Sequence, residues 1–233
     1  MNLKPLPWDS TFFNLKIGKI CDTDIDPDFC ELDIKYYDLI YIEKLKIKKL
    51  NKELSKIINP SYIDKKDIYI KTIGFESEKD PKVKPYQLNT PNSALIKLAI
   101  QSAAFSRFKL DKNFKNDLYK KLYSIWIKNS VEKKSADIVL IYGTIQNPLG
   151  FITVVLKNET AYIGLLAVSE SHQNKGIGKA LIEAAGNFAL KNNLFKLHVI
   201  TQSENTNACA FYKKNGFKKD TVIYTYHHWN KKC

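Results

Sequence analysis

From residue 92 onward the apolar positions repeat with two different periods in turn. Leu95, Leu98, Ala99, Ser102 and Ala103 recur at helical spacing behind Asn92 or Ser93, either of which is a good N-cap. Leu118, Leu122, Ile125 and Trp126 repeat the pattern, so two helices follow one another. Apolar runs over 137–142, 151–156 and 162–168 then predict three strands, with Gln146-Asn147-Pro148 and Lys157-Asn158-Glu159 as the turns between them. A periodic helical stretch over 181–190, a strand over 195–200, a helix over 206–214 and a strand over 221–229 complete the order.

The first 90 residues read as a small α/β unit, with strand-like runs at 37–42 and 68–73 and a helical stretch at 50–58. Pro81, Pro85 and Pro91 fall among polar residues in 76–91, which reads as a linker or an irregular connection and sets the boundary. The expected organisation is therefore an α/β (α+β) chain, with a small N-terminal α/β domain over 1–90 and a second domain over 91–233.

Composition narrows the partners. The 233 residues are 44% hydrophobic, enough to fill a core, and no run approaches the roughly 18 apolar residues of a membrane span. The net charge of +13 suits anionic partners. It rests on abundant lysine alongside abundant Ile and Asn, the bias of an A/T-rich genome, and no basic element is interleaved with stacking aromatics, so neither nucleic acid nor membrane is expected. Cys21, Cys30, Cys209 and Cys233 form no Cys-x-x-Cys pair, and His227-His228 would point to opposite faces of a strand. Neither a metal site nor a disulfide framework is expected. With no apolar leader at the N-terminus, the reading is a cytoplasmic protein.

The stretch Gln173-Asn174-Lys175-Gly176-Ile177-Gly178-Lys179 sits between the 162–168 strand and the 181–190 helix. Two glycines permit a sharp turn and close backbone approach, and the free amides and positive dipole end of the following helix favour an anion there. A Walker loop would need Gly where Gln173 stands and Ser or Thr where Ala180 stands, and a dinucleotide fingerprint would need a third Gly where Leu181 stands. What remains is Gln-x-x-Gly-x-Gly at a strand-to-helix junction. Further on comes Asn205-x-x-Ala208-x-x-x-Tyr212, followed by Lys213-Lys214-Asn215-Gly216-Phe217.

Both motifs, in this order and spacing, resemble the GCN5-related N-acetyltransferase (GNAT) superfamily over roughly residue 91 to the C-terminus. The resemblance implies the acyl-CoA N-acyltransferase fold, acetyl-CoA as cosubstrate and no metal. It places the backbone of Leu166, Ala167 and Val168 beside the acetyl group and pantetheine, with the Val168 N–H available to the thioester oxygen. It also implies that Gln173, Asn174, Lys175, Gly176, Ile177, Gly178 and Lys179 hold the pyrophosphate, that Asn205 faces the pantetheine or adenine side, and that Tyr212 stands near the thiol. Asn205 at a helix start is equally a cap, and Tyr212 could simply fill space against the sheet.

As general acid, Tyr212 would give a proton to the CoA sulfur, since reference pKa values of about 8.5 for a thiol and about 10 for a phenol are nearly matched. No general base stands out among Asp137, His198 and His227.

Pro7-Trp8-Asp9-Ser10-x-Phe12-Phe13, Gln101-Ser102-x-x-x-Ser106-Arg107-Phe108-Lys109 and Trp126-Ile127-x-Asn129-Ser130 also resemble bacterial TDP-fucosamine acetyltransferases. That likeness implies transfer to the 4-amino group of a nucleotide-linked 4-amino-4,6-dideoxy sugar for surface polysaccharide, a homodimer, and acceptor or dimer contacts from the N-terminal domain. Arg107, the single arginine, offers a planar fork to a diphosphate or else a structural ion pair. Trp8, Tyr86 and Trp126 either stack on a ring of the acceptor or pack internally. The alternatives are the same chemistry on a protein N-terminus or another small amine, and a non-catalytic CoA-binding module.

Overall fold

The computed structural model describes residues 3–21, 34–46, 50, 52–115 and 117–230. Backbone contacts divide the chain into two compact units, Met1–Asp67 with Gln202–Glu204 and Thr221–Cys233, and Ile68–Thr201 with Asn205–Asp220.

In the first unit β1 (Lys4–Pro5) pairs antiparallel with β2 (Ile17–Cys21), which runs parallel to β3 (Leu39–Leu45). β3 is antiparallel to the last strand, which we label β10 (Lys218–Trp229), with Tyr41 opposite His227. Helix α1 (Pro7–Phe13) begins with a proline, whose missing N–H is not needed in a first turn, and ends at Asn14 with φ 52°. Ser10 fastens this helix to β2, since its Oγ donates to the Leu6 carbonyl at 2.8 Å and accepts the Ile17 N–H at 3.0 Å. Together with helix α2 (Lys52–Ile57), these strands enclose Ile20, Ile40, Ile42, Ile58 and Tyr226. Residues 3–21 carry no apolar period long enough to announce their elements, and α1, β1 and β2 were not expected.

His227 is buried beside the rings of Tyr41 and Tyr62, with centroids 4.8 and 5.1 Å away, and His228 meets the Asn59 N–H at 3.2 Å. Among the described residues no three His, Cys, Asp or Glu side chains could hold a metal ion, and no helix is long and apolar enough to cross a membrane. Cys30 and Cys233 lie outside the described residues.

The second unit orders its strands β4-β9-β8-β7-β6-β5: β4 (Tyr62–Thr72, from Ile68 onward here), β5 (Val83–Pro85), β6 (Ile138–Gly143), β7 (Pro148–Lys157), β8 (Thr160–Val168) and β9 (Lys196–Gln202). β5 to β8 are antiparallel neighbours, and β9 lies parallel to β8. Helices α3 (Ser93–Gln101) and α5 (Leu118–Val131) flank the short α4 (Arg107–Leu110), and Leu95, Leu98, Ala99 and Ile127 pack with Ile141 and Phe151. In a separate cluster, Leu181, Ile182, Ala185 and Ala189 of helix α6 (Ile177–Lys191) and Cys209 and Tyr212 of α7 (Thr206–Lys214) pack with Ile152, Val154, Ile163 and Val199. Burying each such Leu or Ile contributes about 1.5–3 kcal/mol, which is why the i, i+4, i+8 stripe of α6 settles its orientation. Asn92 is the cap of α3: its Oδ1 accepts the Leu95 N–H at 2.9 Å while its Nδ2 donates to the Ile145 carbonyl at 2.6 Å.

Of the two readings of 76–91, the irregular connection is the one the structure carries. It lies inside the second unit, where Val83–Pro85 pairs with β6, Tyr86 is buried with its hydroxyl donating to the Thr90 carbonyl at 3.1 Å, and Asn187 exchanges two 2.8 Å hydrogen bonds with the Ser77 backbone. Its prolines suppress the strand signal, and its anchors come from residues far along the chain.

Candidate active site

The site begins with an extra residue in β8. The β7–β8 register passes from Ile152↔Leu166 to Val154↔Ile163, so Gly164 and Leu165 together face Thr153. Thr153, buried at 2% exposure, accepts the Leu165 N–H on its Oγ1 at 2.8 Å, and a Cβ on Gly164 would lie 2.8 Å from that same oxygen. The bulge shifts the side-chain alternation by one. Ala161 and Ile163 precede it in the α6-side core, whereas Leu166 and Val168 take that side after it and Ala167 joins the α3 side.

The bulge also decides where backbone groups point. Ser169 N–H donates to the Leu149 carbonyl at 2.8 Å, and Gly150↔Val168 and Phe151↔Ala167 continue that register. In an antiparallel ladder hydrogen-bonded pairs alternate, so Ala167 bonds to β7 while Leu166 and Val168 turn N–H and C=O toward the other edge. There the parallel register with β9 ends at Ile163↔Val199, although β8 continues to Val168. The space beyond is a cleft of about 350 Å³ whose lining includes Leu166, Val168, Gln173, Gly178, Asn205 and Tyr212. The Val168 carbonyl is taken by the Gln101 side-chain amide at 2.8 Å and by that of Gln173 at 3.2 Å. Its N–H lies on the same open edge.

The loop before α6 follows. Asn174 (φ 61°) and Gly176 (φ 82°) adopt left-handed conformations, and the first helical bond runs from Ala180 N–H to the Gly176 carbonyl. The amides of Ile177, Gly178 and Lys179 therefore precede the helical ladder, and no side chain caps them. A larger cavity of about 830 Å³ shares Gln173, Asn174, Gly178, Asn207 and Phe211 with the cleft and is also walled by Lys71, Lys179 and Lys214. Lys175 turns its amine to the Ser171 carbonyl at 3.0 Å, so it offers its backbone rather than its charge. Free amides around an open glycine turn, with lysines beyond, fit the pyrophosphate and phosphate end of CoA.

Tyr212 lines the cleft yet is only 5% exposed, among the rings of Tyr69, Phe211 and Phe217 at 6.1, 5.4 and 5.4 Å. Burial, with a smaller contribution from Cys209, pushes its phenol well above the ordinary value of about 10. The near match to a thiol anticipated from reference values is thereby lost, and the phenol is a hydrogen-bond donor that keeps its proton. Asn205 is the cap of α7, its Oδ1 accepting the Ala208 N–H at 3.1 Å, so it meets the cleft with its NH₂ end.

Other candidates fall elsewhere. Arg107 does not line the cleft; its guanidinium lies 4.8 Å from the Phe108 ring centroid. Trp8 belongs to the first unit, stacked on Phe12 at 5.3 Å. Tyr86 is spent on backbone bonds, and Trp126 packs on Tyr123 at 4.7 Å. Asp137 accepts the Leu156 N–H at 2.6 Å, and His198 packs its ring on Tyr162 at 5.1 Å. Gln101, until here only part of a short motif, lines the cleft, as do residues that sequence reasoning passed over, among them Glu170, His172 and Asn207. Only their closeness to the Gln-x-x-Gly-x-Gly loop or to Tyr212 could have marked them.

Residues 98–217 match the Acetyltransferase (GNAT) family, and the chain belongs to that family. Over 70 residues it is 37% identical to a streptothricin acetyltransferase of Escherichia coli, covering 30% of the chain and 40% of that relative. Over 144 residues it is 26% identical to streptothricin acetyltransferase A of Bacillus subtilis, covering 59% and 83%. The matches to the first two curated relatives span less than half of their length, 46% and 40%. Among solved structures, a conserved protein of unknown function from Staphylococcus epidermidis superposes with a TM-score of 0.57 at 15% identity over 86% of this chain and 75% of that one. A putative GNAT acetyltransferase from Novosphingobium aromaticivorans gives 0.53 at 10% identity over 83% and 75%. These share the fold.

Proposed function

We propose that the chain moves an acetyl group from acetyl-CoA directly to the amino group of a nucleotide-linked 4-amino-4,6-dideoxy sugar, in the cytoplasm and toward surface polysaccharide. The observation that carries the transfer is the open edge of β8: the Val168 N–H and the Tyr212 phenol border one cleft, next to the free amides of Ile177 to Lys179. When bound, acetyl-CoA supplies an activated thioester carbonyl. The backbone of 173–179 holds its pyrophosphate, and Leu166 and Val168 run beside its pantetheine. As the neutral amine forms the C–N bond, Val168 N–H stabilises the oxyanion; as the oxyanion collapses and the C–S bond breaks, CoA departs as a thiolate held by a hydrogen bond from the Tyr212 hydroxyl, and the surplus proton on the new amide nitrogen passes through water to that sulfur. Arg107 and Trp8 receive no support as acceptor contacts from the lining of the cleft.

A second reading, transfer to an antibiotic amine, is favoured by the names of the streptothricin acetyltransferase relatives. Thiol release with TDP-4-amino-4,6-dideoxygalactose, streptothricin and peptides bearing a free N-terminus separates the readings. Turnover of the nucleotide sugar supports the first, and turnover of streptothricin or peptides alone overturns it. The homodimer is tested by sedimentation equilibrium.

A further inference from the structure

We propose that an open cavity beside the cleft, walled by α3, α4, α5 and the turn Glu170–His172, binds the acceptor and selects an amine that also carries a phosphate or carboxylate. This rests on the acetyl-transfer reading above. The cavity measures about 620 Å³ and is lined by Lys97, Gln101, Lys109, Tyr119, Glu170 and Ser171. Gln101 and Glu170 line the cleft as well, so the two spaces share a wall at the end of β8 where the acetyl group would lie. Gln101 is fixed there by its bond to the Val168 carbonyl.

The charges along this wall are ordered. Glu170 stands at the boundary with the cleft, whereas Lys97 and Lys109 line only the outer cavity. All three are exposed, and among the described residues no salt bridge neutralises any of them. The Lys109 ammonium rests 5.6 Å from the Tyr119 ring centroid, which holds it at the cavity wall. Such a wall draws an ammonium inward to the carboxylate and an anion outward to the two lysines. A purely cationic acceptor would meet repulsion over most of it.

The test uses the full chain saturated with CoA, titrated calorimetrically with galactosamine 1-phosphate and, separately, with galactosamine. Charge-assisted hydrogen bonds of about 1.5–3 kcal/mol correspond to about 10- to 100-fold tighter binding of the sugar phosphate. Lys97→Met combined with Lys109→Met should reduce it to the affinity of the unphosphorylated amino sugar and leave the Kd for acetyl-CoA unchanged. Glu170→Gln should weaken both sugars alike. Equal binding of the two sugars, absence of binding by the sugar phosphate, or a preference that survives the double lysine variant overturns the assignment while leaving acetyl transfer standing. Failure of acetyl-CoA itself to bind removes both.

Discussion

The ring of Phe211 occupies the space that a side chain at Gly178 would need: a Cβ there would lie 2.9 Å from Phe211 Cζ. The glycine thus lets α7 press against the first turn of α6, where the phosphate-facing amides lie. Gly178→Ala should displace the ring and weaken acetyl-CoA binding by about tenfold, with part of the loss recovered when Phe211→Leu is added, a coupling that a double-mutant cycle reads directly.

Gly176 meets a different requirement. A Cβ there would touch nothing within 4 Å, but its φ of 82° is a conformation that side chains resist. Gly176→Ala should therefore lower unfolding stability by about 1–2 kcal/mol, seen as a reduced urea midpoint, and Phe211→Leu should not repair it.

The two glycines were legible because a loop motif is local: spacing alone separated it from the Walker and dinucleotide patterns, and the helices and strands around it are long and periodic. The bulge was not legible. Residues 162–168 read as an uninterrupted apolar strand, and the slip in alternation at Gly164 is visible only once Thr153 is set opposite it. Arg107 was singled out for being the lone arginine, yet rarity in composition says nothing of placement, and it lies over Phe108. Glu170 has no role in the sequence reading and Gln101 only a place in a short motif, because an exposed carboxylate and a helix amide acquire meaning only from the cavities they border.

Thr153→Val keeps the shape of the side chain and removes the acceptor for the Leu165 N–H. The buried donor left behind should lower stability by about 1–3 kcal/mol in urea unfolding. Because the same bond holds the bulge that turns Leu166 and Val168 toward the cleft, kcat should fall as well. Thr153→Ser, which keeps the hydroxyl, should retain most of both.

His198 titrates below its ordinary value of about 6.5, chiefly because burial disfavours the charged ring, with Lys196 acting in the same direction and Asp220 opposing. A depressed folded-state pKa gives stability that is present above about pH 6.5 and is lost as pH falls through the folded value. The His198 ring protons in an NMR titration should thus show a midpoint below that of a model histidine. Asp220→Asn should lower it further by removing the opposing charge.

Tyr212 carries the prediction with two independent readouts. If its hydroxyl supports the departing sulfur by a hydrogen bond, Tyr212→Phe should reduce kcat by about a hundred- to a thousandfold with little change in acetyl-CoA affinity. The second readout concerns the folded state. With the phenol pKa raised by burial, the unfolded chain loses its proton near pH 10 while the folded chain keeps it, so the native state is progressively disfavoured as pH rises from about 10 toward the folded value. Tyr212→Phe lacks this group, so its urea midpoint should decline less steeply than that of the unmodified chain between about pH 9.5 and 11. A steep alkaline decline abolished by the substitution, with kcat intact, would make Tyr212 a core residue alone. A loss of kcat at neutral pH, where both proteins are equally folded, assigns the phenol to the chemistry.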